Sequence, residues 1–244
     1  MKAKEALQLG TELSTLIHNG QADQAYALLA PILAERTRFP LLERIGLAMG
    51  LGSMEAVNPF LQRIAAYKTE GGWVVIGGAL KAQLDRDLQE AFTRCRNFII
   101  AADVWYAADI FGERVPGPGL VSYFEASLPL LETWREDPNV WVRLAIGVGA
   151  HFWAKRSKGD PALTHKAAAL LSLLEPLFTE WEMETVKGIG WGLKTLGKHY
   201  PYLLEEWLPQ QIHRPHRAIM MRKALTYLTK EQRLRITGNT HQTK

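Results

Sequence analysis

The chain has 244 residues, 47% of them hydrophobic and 22% charged, with a formal net charge of +4. This composition fits one globular domain over residues 1–244, large enough to bury a core without disulfides or metals. Cys95 is the only cysteine, which excludes an internal disulfide and a cysteine-built zinc site, and no apolar stretch reaches the roughly 18 residues of a membrane span. This composition suits a reducing cytosol, so we expect a cytoplasmic protein. We also expect a monomer, and the basic excess favours a polyanionic partner.

The predicted elements are helices from one end of the chain to the other. Strong helix formers dominate residues 2–16 and 22–36. Further along, apolar residues recur at spacings of three and four, and glycine and proline breaks separate segments of helical length. Asp137-Pro138 places a capping side chain before a proline, which is typical of a helix start. The sequence thus predicts an all-α fold.

A tryptophan followed by small and apolar residues recurs in four of these segments. The four are Trp73, Trp105, Trp141 and Trp191. The first two intervals fit one helix pair each, and the third leaves room for an insertion around residues 155–161. Pairs of this length cannot bury their apolar faces alone, so we expect antiparallel helix pairs stacked into a curved solenoid with a concave binding surface.

Trp105 and Asp109 are the first candidates for chemistry. They lie four residues apart and therefore one turn apart on one helix face. The spacing alone also allows ordinary roles, because tryptophan on an apolar helix is typically buried and aspartate typically caps a helix or faces solvent. Asp103 is a second candidate carboxylate, for which a helix-start role is the alternative.

The segment around Trp191 carries basic residues on one helix face. Lys187, Trp191, Lys194 and Lys198 follow the spacing i, i+4, i+7 and i+11. A lysine stripe is commonly only a solvated surface, but burying this indole would draw the lysines inward. We therefore predict that the stripe lies along a phosphate backbone with Trp191 exposed in the groove. Other basic residues are His213, Arg214, His216, Arg217, Arg222, Lys223, Arg233 and Arg235, with a separate cluster at Lys155, Arg156 and Lys158.

Three of these segments, in this order, resemble the AlkD-like DNA alkylation repair glycosylases, a family with HEAT-like helical repeats. Residues 97–112 are similar to the family segment in which a tryptophan and an aspartate stand four residues apart. Residues 137–143 resemble the segment that supplies an arginine, and residues 186–194 the segment that carries a second functional tryptophan. The similarity runs with gaps from about Arg38 to about Leu228.

The resemblance implies a DNA glycosylase that excises cationic N3- or N7-alkylated purines from duplex DNA without a metal or cofactor. Asp109 would stabilise the cationic sugar of the transition state and orient water. Trp105 and Trp191 would offer π faces to the deoxyribose and the lesion, with no deep base pocket. The residues expected to bind DNA are Arg143, Lys187, Lys194, Lys198, Arg217 and Arg222.

One position departs from the family pattern, which places the arginine where this chain has Leu144. Two alternatives are open for Arg143: it replaces the family arginine after a local shift, or it faces away and only caps the helix or contacts solvent. The departure leaves open a non-catalytic relative that recognises damaged, bent or branched DNA. A helical-repeat scaffold that binds protein on its concave face is the third alternative.

Overall fold

The computed structural model describes residues 1–238, and every regular element in that range is a helix. This confirms the all-α prediction. The chain divides into two compact units, Met1–Val115 and a second that begins at Pro116. The expectation of one domain over residues 1–244 stays a prediction. No helix within the described range is long and apolar enough to cross a membrane.

Seven helices with short connections build the first unit. They are α1 (Ala3–His18), α2 (Ala22–Ala34), α3 (Phe39–Gly50), α4 (Met54–Ala65), α5 (Glu70–Gln83), α6 (Leu88–Ala102) and α7 (Trp105–Arg114). Local capping fixes several ends: the Thr69 hydroxyl accepts the N–H of Gly72 at the start of α5, and the Asp87 carboxylate accepts that of Glu90 at the start of α6.

The odd-numbered helices of this unit pack on one another in succession. α3 packs against both α1 and α5, and α5 packs against α7. The contact between α3 and α5 needs a glycine, because a Cβ at Gly46 would collide with the carbonyl oxygen of Val75. Trp73 lies in this core at 1% exposure, with its ring 6.0 Å from that of Phe111. The first tryptophan of the repeat is therefore a packing residue.

The second unit has the same helical character. Its helices are α8 (Pro116–Ser122), α9 (Phe124–Trp134), α10 (Val140–Ser157), α11 (Thr164–Leu174), α12 (Met183–His199), α13 (Pro201–Gln211), α14 (Ala218–Ala224) and α15 (Lys230–Gly238). Short 3₁₀ turns occur at Pro161–Leu163, Pro176–Thr179 and Leu225–Tyr227. The helix start predicted at Asp137-Pro138 lies two residues later, because the Asn139 side chain accepts the N–H groups of Trp141 and Val142.

Helix α10 is the centre of this unit. It packs most extensively against α12, which also contacts α14, and α8 packs on its other side. Helices α10 and α12 meet at glycines: a Cβ at Gly147 would collide with the backbone of Gly188, and one at Gly188 would lie 2.6 Å from the carbonyl oxygen of Leu144. This close approach sets the positions of the side chains on the two helices.

Candidate nucleic-acid interface

Trp105 begins α7 and is 56% exposed, although it sits in a segment rich in small and apolar residues. The edge of its ring meets the ring of Tyr106 at a centroid distance of 5.7 Å. The core interpretation of Trp105, which spacing alone allowed, is therefore wrong. An exposed indole on a helix end is available to a ligand.

Asp109 follows one turn later on the same helix and is half-buried. Burial raises the pKa of its carboxyl from 3.8 to about 6, and the negative charge of Glu113, one further turn along, adds to the effect. Among residues 1–238 no basic side chain pairs with this carboxylate. At neutral pH Asp109 is thus a poorly solvated anion with no internal counter-ion.

Asp103, the second candidate carboxylate, ends a helix instead of starting one. It caps the C-terminus of α6 in the left-handed conformation, with φ of 50°, and its N–H donates to the carbonyl of Ile99. Aspartate is one of the few residues that tolerate this conformation. Its position in the fold accounts for the residue type without a chemical role.

Trp191 lies in the middle of α12 and stacks on a histidine that the sequence analysis missed. The rings of Trp191 and His151 are 4.0 Å apart at an angle of 24°. The Thr195 hydroxyl lies within hydrogen-bond distance of both partners, 2.7 Å from Nδ1 of His151 and 3.1 Å from the Trp191 carbonyl oxygen. The stack depends on the pairing of α10 with α12, which has no local sequence signal.

Basic side chains surround this stack. Burial first, and then nearby positive groups, lower the pKa of His151 from 6.5 to about 4. The neighbouring groups are Lys155 and Arg156 on α10 and Lys194 and His199 on α12. The imidazole is consequently neutral at physiological pH.

The same positive surface continues toward α14. The ammonium groups of Lys194 and Lys198 each lie 5.4 Å from the ring centre of Tyr227. Burial lowers the pKa of Lys223, and the charges of Lys194, Lys187 and Arg222 lower it further. We call this surface the basic face; it comprises Lys155, Arg156, Lys187, Lys194, Lys198, Arg222 and Lys223.

Lys187 and Arg217, both in the predicted DNA-binding set, have partners within the protein. Lys187 pairs with Glu184 at 2.9 Å, one turn earlier on α12. The Arg217 guanidinium lies over the ring of Trp181, 5.6 Å from its centre, near the start of α12. Arg217 therefore belongs to a different part of the second unit from the stack of Trp191 and His151.

Arg143 is the most firmly held of the predicted residues. Its Nε donates to a carboxylate oxygen of Glu180 at 2.9 Å and its Nη1 to the carbonyl of Asp137 at 2.6 Å, and its side chain is only 12% exposed. Leu144, at the position of the family arginine, is buried. Glu180 and the Asp137 carbonyl occupy Nε and Nη1 of Arg143, and its predicted role in DNA binding stays a prediction.

The fold and these surfaces are typical of an all-helical protein that binds a polyanion. The family model described as DNA alkylation repair enzyme matches residues 74–228, and the chain belongs to that family. This confirms the family resemblance, although the match begins later than the predicted start near Arg38. Comparison with curated proteins found no match, nor did comparison with solved structures. Within residues 1–238, no cluster of three or more His, Cys, Asp or Glu side chains could hold a metal ion.

Proposed function

We propose that this DNA alkylation repair enzyme is a glycosylase that excises cationic N3- or N7-alkylated purines from duplex DNA. The family supports a role in alkylation repair. The observation that supports base excision is the pair on α7, an exposed Trp105 one turn before a half-buried Asp109 that has no basic partner among the described residues.

The chemistry of the lesion explains why such a pair is sufficient. Alkylation makes the purine cationic, so it leaves with the electrons of the glycosidic bond and becomes neutral. Positive charge then develops on the sugar, and water adds to C1′ with loss of a proton. A carboxylate held away from water interacts strongly with that developing charge. We assign this role to Asp109, with the π face of the neighbouring Trp105 against the sugar. The role expected for Trp191 at the lesion stays a prediction.

The basic face of the second unit supports binding to the phosphate backbone. Lys194, Lys198 and Arg222 make no ion pair within the described part of the chain. Each lysine or arginine that neutralises a phosphate contributes about 0.9 to the slope of log affinity against log salt. We expect a slope of several units on duplex DNA, which a protein-binding scaffold would not show.

Helix packing within each unit supports HEAT-like antiparallel pairs as the repeating element. In the first unit α1, α3, α5 and α7 pack in succession, and in the second α8, α10, α12 and α14 do the same. We propose on this basis the predicted curved solenoid of HEAT-like pairs. A cytoplasmic location and a monomeric state stay predictions.

Base release from duplex DNA carrying N7-methylguanine or N3-methyladenine tests the activity. We expect wild type to release the base and Asp109→Asn to be slower by about a hundredfold, as for loss of one preorganised electrostatic group. DNA affinity of the variant should stay the same or rise, because the change removes a negative charge. Asp103→Asn is the matched control and should retain activity.

A non-catalytic DNA-binding relative is the second candidate, favoured by the engagement of Arg143 with Glu180. Under that alternative, wild type binds the modified duplex with a strong salt dependence but releases no base. Such a result would overturn the glycosylase proposal and leave DNA binding in place.

A further inference from the structure

A second exposed tryptophan, Trp181, lies in the second unit immediately before α12. It stands in the turn between the 3₁₀ helix Pro176–Thr179 and α12, and it is 56% exposed. Tryptophan rarely leaves so much apolar surface in water unless a partner covers it. Trp181 is not one of the tryptophans selected from the sequence.

The backbone of this turn is fixed by a partly buried ion pair between Glu180 and Arg143. One carboxylate oxygen of Glu180 accepts the N–H of Trp181 at 2.8 Å and that of Glu182 at 3.0 Å. The other accepts Nε of Arg143 at 2.9 Å. Burial opposes ionisation of Glu180, but the two N–H groups and the charge of Arg143 together lower its pKa. Arg143 and Glu180 are thus positioning residues for the turn that carries the indole.

Arg217 holds the indole from the other side of the turn. Its guanidinium lies 5.6 Å from the ring centre of Trp181, and its Nη1 is 3.5 Å from the Trp181 carbonyl oxygen. The ring of the preceding residue, His216, lies 5.2 Å from that of Phe178. This contact fixes the chain next to Arg217 beside the turn. The exposed indole and the planar cation that lies over its ring thus occur at one place on the surface.

We propose that Trp181 and Arg217 form a stacking site for an unpaired nucleobase of DNA, in which Arg217 binds the adjoining phosphate. A nucleotide has the matching chemistry, a flat π system joined to an anion. Bases inside a duplex are covered on both faces by their neighbours, so the site selects a bulged, orphaned or terminal base. The inference rests on the DNA binding in the proposed function. In the proposed reaction, loss of the damaged base leaves the base on the opposite strand without a pairing partner. That unpaired base is the occupant we expect for the stacking site.

The test uses the full chain and two DNA duplexes, one with a single 2-aminopurine bulge and one fully paired. Trp181→Ala should weaken binding to the bulged duplex by about 5- to 100-fold, the range for loss of one aromatic stacking partner. Binding to the paired duplex should change less than about twofold. Trp181→Phe keeps a π face and should remain close to wild type, whereas Trp181→Leu keeps only apolar bulk and should behave like Trp181→Ala.

The control is another exposed aromatic residue of the same unit, Tyr202, which is 76% exposed. Tyr202→Ala should bind both duplexes like wild type. Wild type should also change the 2-aminopurine fluorescence on binding, and Trp181→Leu should not. Equal affinity of all variants for the bulged duplex, or equal loss on both duplexes, overturns the stacking site. Absence of wild-type binding to either duplex would instead count against the proposed function.

Discussion

Replacing Asp109 by asparagine should make the protein more stable at neutral pH while it removes activity. The change preserves the shape of the side chain and deletes its charge. Burial and Glu113 raise the pKa of the carboxyl from 3.8 to about 6 in the folded protein, so folding moves the anion into a less favourable environment. At about 1.36 kcal/mol per pKa unit this shift corresponds to roughly 3 kcal/mol. Asp109 is only half-buried, so solvent screening reduces the value to about 1–2 kcal/mol.

The pH dependence of the free energy of unfolding tests whether the charge of Asp109 causes this difference in stability. A carboxyl group with a raised folded pKa binds more protons in the folded state between about pH 4 and 6, so stability falls as pH rises through that window. The penalty is complete above about pH 6 and absent below about pH 4. Urea unfolding at pH 7.5 should show Asp109→Asn more stable by about 1–2 kcal/mol, with a melting temperature higher by roughly 2–8 °C. At pH 4 the two proteins should unfold together.

Two outcomes would refute this reasoning. If Asp109→Asn is less stable than wild type at pH 7.5, the carboxylate has a favourable partner that the electrostatic argument omits. If its gain in stability is the same at pH 4 and pH 7.5, ionisation is not the cause. A change that stabilises the protein and lowers its activity is the pattern expected of a functional residue.

Three further predictions follow from the same geometry. Glu113→Gln removes the negative neighbour of Asp109, so the rise of activity with pH, expected near pH 6 in wild type, should shift to lower pH in profiles of kcat/KM. Bound phosphates offset the positive groups around His151 and raise its pKa, so DNA affinity at fixed salt should increase as pH falls from 7 to 5, and His151→Gln should lose much of this increase. Gly188→Ala places a methyl group 2.6 Å from the carbonyl oxygen of Leu144 and should lower the free energy of unfolding by about 1–3 kcal/mol in urea titrations.

Each of these predictions has a result that contradicts it. If the acidic side of the kcat/KM profile is unchanged in Glu113→Gln, the charge of Glu113 does not act on Asp109. If DNA affinity depends on pH identically in wild type and His151→Gln, the protons taken up on binding go to other groups. Asp109 is the first of these to test. For the helix contact, Gly238→Ala is the control, because a Cβ there meets nothing within 4 Å; equal effects at both glycines would argue against the close approach of α10 and α12.

The sequence predicted the helices well because their signals are local, but it could not separate exposed from buried tryptophans. Trp73 and Trp105 both occur among small and apolar residues, yet one is 1% exposed and the other 56%. The difference comes from position: Trp73 lies inside α5 against Phe111, whereas Trp105 begins α7 directly after the left-handed end of α6. Which face of a helix is covered depends on its neighbours in space.

The candidate site shows the same division between local and distant information. The spacing of Trp105 and Asp109, and of the lysines with Trp191, follows from helix geometry and was available from the sequence. The partners of Arg143 and Trp191 were not, because Glu180 and His151 lie 37 and 40 residues away in the chain. Only the packing of α10 against its neighbours brings these pairs together.

The glycine contact between α10 and α12 also limits how the second unit can adapt. Where side chains fill an interface, helices adjust by changing rotamers, but at Gly147 and Gly188 the two backbones touch directly. Nothing at that crossing can be rearranged without separating the helices, so His151 and Trp191 are carried on a nearly rigid frame. When a DNA duplex binds to this surface, the DNA must therefore change shape while the protein does not. DNA sequences that bend or unstack easily should bind with the highest affinity.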